Sequence, residues 1–453
     1  MSRLRKSKPF LVLAVIFAAY PLYAASNSDD KSTLVPEDIQ GTITNQSKLT
    51  LEQCIGIALK NNPELAQKKW NTEIAKAEKD IAKGRLLPEI GMVGGYTHYR
   101  DDRLIKPRRI GGQEVLDFAD ELISGGIALS MPLYTGGRLE NEVKATEQIT
   151  RSTQYQLLRS KRELVFNVSN VFYSMLGQRS VIKSLIFSQK TLEEHHKRVE
   201  ELLNAQKAAK VDLLRTEVRL ADIEQQLLRE RNVLNIQHDL LANLLGLGQQ
   251  DEYLEIEGEL TQVDFSTGID RRIKSVFKNR QDYRSLESRA NAQQKRLSIA
   301  KAGRLPEISF QASYGNQWDA DSSRNNEVGQ VGVLLVMPLF EGGRINARVR
   351  RERSRLRVQK EGMRKLQLQI QLELKTAISN IESTDARIAV TQKAVKQAKE
   401  SLRIEREKYD HGKGAIVDVL DAQSAMLKSQ KNHYRALAEY NTSLAQYNLA
   451  MGE

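Results

Sequence analysis

The sequence predicts a mainly α protein with a small β part, built from two tandem copies of one structural unit. Three observations lead there. The string "SMPLYTGGR" at residues 130–138 returns as "VMPLFEGGR" at 336–344, a shift of 206 residues. No proline lies between Pro132 and Pro306 or after Pro338, as long helices require. The residues leading into each string alternate apolar with small or polar side chains, the period of a strand.

The N-terminus comes first. Arg3, Arg5, Lys6 and Lys8 precede the apolar run "FLVLAVIFAAYPL" and then Ala24 and Ala25, which reads as a secretory signal peptide over 1–25. A polar segment, 26–48, follows. The signal's apolar core is short for a membrane span, and no other stretch approaches eighteen consecutive apolar residues. A mature chain that meets a membrane would therefore meet it as strands. The net charge is +12, or +8 without the four signal cations. Nucleic acid is not the expected partner, because an exported chain with no zinc-finger spacing, RNA-binding motif or aromatic-and-basic platform lacks the means to read it. Cys54 is alone, so no disulfide forms within the chain. Its setting, "LEQCIGIAL", reads as a small buried residue on an amphipathic helix.

The repeat divides the rest into a first copy at 49–247, a linker at 248–265 and a second copy at 266–453. "NNPEL" at 61–65 aligns with "NRQDY" at 279–283 and "LPEI" at 87–90 with "LPEI" at 305–308, both shifted by 218. From the "MPL" strings onward the shift is 206, and it still is where "KVDLL" at 210–214 meets "IVDVL" at 416–420. The difference falls in the polar insert "RDDRLIKPRRIGGQEVLDFADE", read as an outer loop carrying Arg100, Arg103, Arg108 and Arg109. Each copy thus runs helix, strand, loop, strand, very long helix, turn, long helix. Asn62 before Pro63 reads as an N-cap with proline at the first helical position. The second copy has Gln281 where the first has Pro63.

Strands are expected near 89–99, 123–133, 307–318 and 328–339. Ile127, Leu129, Met131 and Leu133 share one face, and Gly126, Ala128 and Ser130 the other. Ile308, Phe310, Ala312, Tyr314 and Trp318 alternate with Ser309, Gln311, Ser313, Gly315 and Gln317. Such alternation fits a barrel strand between lipid and a wet lumen, and equally a half-buried soluble sheet. Leu334 and Val336 make both faces of the fourth strand apolar. Four strands cannot close, since the smallest membrane barrels have about eight. Three copies would supply twelve.

After each "MPL" string comes a proline-free segment, the first from Leu139 to about Ala205, roughly 100 Å long as a straight helix. Leu374, Ile381, Ile388, Val395 and Leu402 are spaced by seven, and Val168, Met175 and Ile182 are their counterparts before Gln189 and His196 break the pattern. Heptads mean helices packed along a supercoiled seam. Pro132 and Pro338 are expected to end a strand. Gly136, Gly137, Gly342 and Gly343 let the backbone swing from strand to helix.

Taken in order, "LTLEQCIGIALKNNPEL", "GRLLPEIGMVGGY", "MPLYTGGR", "GLG", "GRLPEISFQASY", "MPLFEGGR" and "GKGAIVDVLDAQ" resemble the TolC family of outer membrane efflux proteins across nearly the whole mature chain. The resemblance implies a homotrimer in the outer membrane of a Gram-negative bacterium. In that trimer a 12-stranded β-barrel continues into a 12-helix periplasmic α-barrel, the exit duct of a tripartite efflux or type I secretion system. It implies docking on a periplasmic adaptor linked to an inner-membrane transporter. The docking tips would be the two helix turns, at Ala208, Ala209, Lys210 and Asp212 and at Gly412, Gly414, Asp418 and Asp421. Only the second turn matches the family's glycine turn well, because Gln206 and Ala208 stand where the second has Gly412 and Gly414. No gate residue carries over.

Several signals have plainer readings beside the functional one. Asp212 and Asp418 would more readily cap the returning helices than present carboxylates to a partner. The run "RVRRERSRLRVQK" at 348–360 reads as a solvated helix surface paired with Glu352 and Glu361 before it reads as an anion-attracting belt. Trp70 reads as a helix packing residue and Trp318 as an interfacial strand residue. Neither enzyme chemistry, a cofactor nor a metal is expected: His195 and His196 lack the i, i+4 spacing of a metal pair, and no nucleophile elbow or phosphate loop is present. A free-standing diffusion channel and a soluble periplasmic coiled-coil scaffold stay open as alternatives. Drugs, metal ions and polypeptides are all possible cargo.

Overall fold

The computed structural model describes residues 48–110, 113–248, 254–263, 265, 273–319 and 325–452, with the backbone alone for 102–110, 113–119, 273–275, 319 and 325. The signal reading and the polar segment through residue 47 lie outside the described residues. The unit from Leu49 onward runs α1 (Leu51–Asn61), α2 (Pro63–Gly84), β1 (Glu89–Ile110), β2 (Gln113–Tyr134), α3 (Arg138–Asn204), α4 (Lys210–Leu245), α5 (Ile273–Asn279), α6 (Gln281–Ala302), β3 (Glu307–Asp319), β4 (Asn325–Val336), α7 (Arg344–Asp410) and α8 (Ile416–Met451). The shift of 218 maps the ends of α2 onto those of α6. That of 206 maps α3 onto α7, 67 residues each, and α4 onto α8, 36 residues each.

The helix starts follow from their caps. Thr50 and Gln53 form a capping box on α1, and the Asn62 side chain accepts from the Leu65 amide at 3.0 Å with Pro63 at the first position of α2. At the matching start of α6 stands Arg280, which makes no side-chain cap. Cys54 is fully buried in α1, and burial pushes its thiol up to about 11.

All four strands form one antiparallel sheet in the order β1-β2-β3-β4, so the β1–β2 and β3–β4 hairpins join edge to edge although a long helical stretch separates them in sequence. Two expectations are corrected here. The polar insert is not a loop: β1 and β2 each run 22 residues and pair to Ile110↔Gln113, with register shifts between His98 and Arg103 and between Leu104 and Lys106. Backbone ladder bonds are available whatever the side chains' polarity, and the bulges accommodate the uneven register. Pro132 does not end a strand either. It sits inside β2 opposite Ser309, at a bulge before Tyr134. By contrast β4 ends at Val336, short of Pro338.

The long helices lie in a fixed order of neighbours. In the half near the sheet it is α2, α3, α6, α7; in the far half it is α4, α3, α8, α7. Polar clasps mark five of these six contacts. The Thr150 hydroxyl donates to the Ala75 carbonyl at 2.9 Å, and the hydroxyls of Ser152 and Ser285 meet at 2.8 Å. Gln178 donates to both the carbonyl and the carboxylate of Glu230 at 2.8 Å, and Gln293 grips Glu352 in the same way at 3.3 and 2.8 Å. Gln423 donates to the carbonyl and hydroxyl of Ser188, both at 3.1 Å. Between the clasps the heptad residues Val168, Met175, Ile182, Leu374, Ile381 and Ile388 are buried, whereas Val395 and Leu402 are only half-buried. Each large apolar side chain so buried contributes about 1.5–3 kcal/mol.

Midway along the helices the returning helices close on the starts of the copies. Asn62 donates to the Leu244 carbonyl at 2.9 Å, and Arg280 to the Ala450 carbonyl at 3.2 Å. The linker is strapped alongside. Residues around Ile256 pair with Leu49 as a parallel bridge, and Asn441 donates to the Thr261 carbonyl at 3.0 Å.

Candidate functional site: sheet, junctions and helix turns

The sheet has two unlike faces. Ile90, Met92, Tyr96, Ile123, Ile127, Tyr314, Val331, Val333 and Leu335 share one, and all are exposed within the chain. So large an apolar surface marks a contact with lipid or protein. Small and polar residues dominate the other face, where a hollow of about 290 Å³ draws on all four strands, among them Glu89, Gly91, Ser130, Gln311, Ser313 and Gln330. Among the described residues β1 and β4 each have a strand partner on one side only.

At the junctions Gly136 and Gly137 take φ of +62° and +78°, and Gly342 and Gly343 take +58° and +79°. Two successive left-handed residues turn each chain from strand to helix, a conformation that side chains resist. Arg138, the first residue of α3, donates to both carboxylate oxygens of Glu307 at the start of β3, at 2.8 and 3.3 Å. Beside this pair lies a cavity of about 610 Å³ whose lining includes Arg296, Arg348, Arg351 and Arg355 with Glu341 and Glu352. Within the arginine run Glu352 takes Arg351 at 2.8 Å and Arg355 at 2.9 Å, whereas Glu361 meets Arg364, beyond the run, at 3.9 Å.

Both helix turns lie at the end of the helices away from the sheet, where Leu213, Tyr409 and Ile416 pack into one cluster with Val199. Their backbones match. Gln206 and Gly412 both take φ near the left-handed well, +59° and +70°, and the next residues, Lys207 and Lys413, donate to Leu202 and Lys408 at 2.7 and 2.8 Å. The first turn therefore has the glycine turn's shape without the glycine. The N-caps are Ala209 and Ala415, neither with a side-chain bond, so the capping reading of Asp212 and Asp418 is corrected. Each aspartate sits instead in the first turn, where the helix dipole favours a carboxylate. Asp421 lies 3.9 Å from Arg219 of α4. His195 meets the Tyr409 ring edge-on, and burial, then the charge of Arg406, holds its imidazole below the ordinary range. His196 faces Glu217 instead, and among the described residues no His, Cys, Asp or Glu group is arranged to hold a metal ion.

Sequence reading missed Arg280, the Arg138–Glu307 pair and the glutamine clasps. Nothing in a lone sequence marks these polar residues as partners, which in the glutamine clasps lie 52 to 235 residues apart. The alignment of the two copies is the signal that could have singled out Arg280, as the counterpart of Asn62. Trp70 is a correction: it stands 68% exposed on α2, on a face that the described residues leave uncovered.

This order of elements has known counterparts. The model of the family described as outer membrane efflux protein matches residues 54–247 and 273–453. The chain belongs to the outer membrane efflux protein family. Among its relatives, the outer membrane protein TolC of Vibrio cholerae is 20% identical over 442 residues, covering 95% of this chain and 94% of TolC. The pyoverdine export outer membrane protein OpmQ of Pseudomonas aeruginosa is 23% identical over 391 residues, 84% of this chain and 80% of OpmQ. The fold is that of the outer membrane protein VceC of Vibrio cholerae, with a TM-score of 0.74 at 18% identity over 89% of this chain and 96% of that one. The Campylobacter jejuni CmeC outer membrane channel gives 0.76 at 17% identity, over 89% and 85%. This efflux protein is thus an outer-membrane exit duct with a large periplasmic part, of a family of channels rather than enzymes.

Proposed function

We propose that this efflux protein works as a homotrimer, its twelve strands closing a barrel in the outer membrane and its helices continuing as a periplasmic tube. One observation carries the reading: a four-stranded sheet, apolar on one face and richer in small and polar residues on the other, has edges that cannot stand unpaired in lipid. The junction glycines and Pro132 and Pro338 hand the chain from barrel to tube, once per copy. The turns at Ala208, Ala209, Lys210 and Asp212 and at Gly412, Gly414, Asp418 and Asp421 dock on a periplasmic adaptor that joins an inner-membrane transporter. Conduction is passive, with energy supplied by that transporter.

Cysteines placed at Ala208 or Gly414 test the docking. Crosslinks to a periplasmic adaptor in cells are expected. Channels in planar bilayers without any adaptor crosslink would favour the free-standing diffusion channel instead.

A further inference from the structure

We infer that the cavity between α6 and α7 at the foot of the sheet binds multivalent anions carrying phosphate or carboxylate groups, so that the duct favours anionic cargo. The inference rests on the duct reading above and adds a cargo class to it.

The charge in this cavity is unbalanced. Arg138 and Glu307 satisfy each other at its sheet end. The rest of the charged lining sets four arginines, Arg296, Arg348, Arg351 and Arg355, against two glutamates, Glu341 and Glu352. Neither carboxylate is free to neutralise the excess. Glu352, 5% exposed, already takes Gln293, Arg351 and Arg355. Glu341 is shared between Arg344 at 3.7 Å and Arg348 at 3.9 Å. Arg296 has no ion pair among the described residues. Guanidinium forks match the oxygens of phosphate and carboxylate groups. Ile299, Leu305 and Ile345 complete the wall, and apolar walls beside charge of one sign strengthen its pull on a counter-ion.

The two copies of the repeat provide an internal control. Shifts of 206 and 218 carry Arg348, Arg351, Arg355 and Arg296 onto Glu142, Ala145, Ile149 and Glu78. Two arginines are replaced by glutamates and two by apolar residues. In the first copy α2 nevertheless packs on α3 as α6 does on α7, and Glu142 bridges to Arg85. Helix packing beside the junction therefore does not require the arginines, and their concentration in the second copy serves something else.

The cavity also lies on the side that cargo would pass. Glu307 and Val336, paired between β3 and β4, line its sheet end. Both stand on the face that carries Ser309, Gln311, Ser313 and Gln330, because every second residue of a strand points the same way. That face is turned from the exposed apolar surface, and in the duct reading it borders the lumen, whereas lipid meets the apolar one.

The test uses the full-length protein, inorganic pyrophosphate as probe and the double variant Arg296→Glu with Arg348→Glu, which installs the residues of the first copy. In planar bilayers of phosphatidylcholine, pyrophosphate should block the wild-type current. The variant should still open channels, with the half-blocking concentration raised at least about tenfold. Equal block in both overturns the site. Block that disappears when phosphatidylglycerol is added to the bilayer assigns the site to a lipid headgroup and overturns the cargo class. A second readout needs no channel: pyrophosphate should raise the unfolding temperature of the detergent-solubilised wild type and leave that of the variant unchanged. An equal shift in both, or none in either, counts against the site. A shift confined to the wild type, with no channel in any bilayer, would remove the duct reading and leave the anion site standing. Should the charge-reversed chain not fold, Arg296→Gln with Arg348→Gln is put through the same two measurements.

Discussion

Arg280 donates to the Ala450 carbonyl at 3.2 Å, in the place where Asn62, its counterpart in the other copy, donates to the Leu244 carbonyl at 2.9 Å. Each contact fastens the last turn of a returning helix to the start of its copy. The second copy adds charge. Arg280, 1% exposed, also holds Asp282 at 2.5 and 3.0 Å and Glu373 at 2.8 Å. Burial disfavours its charged form, but the two carboxylates outweigh that and raise its basicity.

Arg280→Ala strands Asp282 and leaves a helix end unfastened. It should destabilise by about 3 kcal/mol, the scale of breaking a buried pair from one side. Asn62→Ala should cost about 1 kcal/mol, the scale of a lost cap. Thermal unfolding of the two variants in the same detergent gives the comparison, and equal losses would refute the ranking.

Gln206 takes the left-handed conformation that its counterpart Gly412 takes without steric penalty. Gln206→Gly should therefore stabilise the first turn by about 1 kcal/mol, offset in part by the added freedom of the unfolded chain. Gly412→Gln should destabilise the second by a similar amount. Hydrogen exchange of the amides of Lys207 and Lys413, which close the two turns, reads the effect locally.

Burial raises the Glu230 carboxyl, but hydrogen bonds from Gln178 and Lys431 and the charges of Lys431 and Arg435 hold it below the ordinary range. Its folded value is depressed, so the stability it contributes is fully present above about pH 4.5 and is lost as pH falls through the folded value. Glu230→Gln should cost about 1–3 kcal/mol at neutral pH. It should also flatten the fall in unfolding temperature below pH 4.5. An unchanged acid slope would assign that loss to other carboxylates.

The long helices, the repeat and the strand-to-helix glycines were legible because they rest on local rules: proline's missing amide, heptad spacing and glycine's freedom at positive φ. Pro132 misled for the same reason. Proline forbids one ladder bond, and at a bulge opposite Ser309 that bond is not required. The polar insert was read by composition, whereas pairing of β1 with β2 is a backbone property. Arg280 and the glutamine clasps were hidden because burial of a polar group depends on partners distant in sequence. Trp70 reads correctly as a packing residue only if its partner lies on another copy.

The most direct test of the central claim is the native mass of the detergent-extracted protein. Three chains per particle, released from membranes only by detergent, is the result expected of a barrel completed between copies. A single chain, soluble in buffer without detergent, would contradict it.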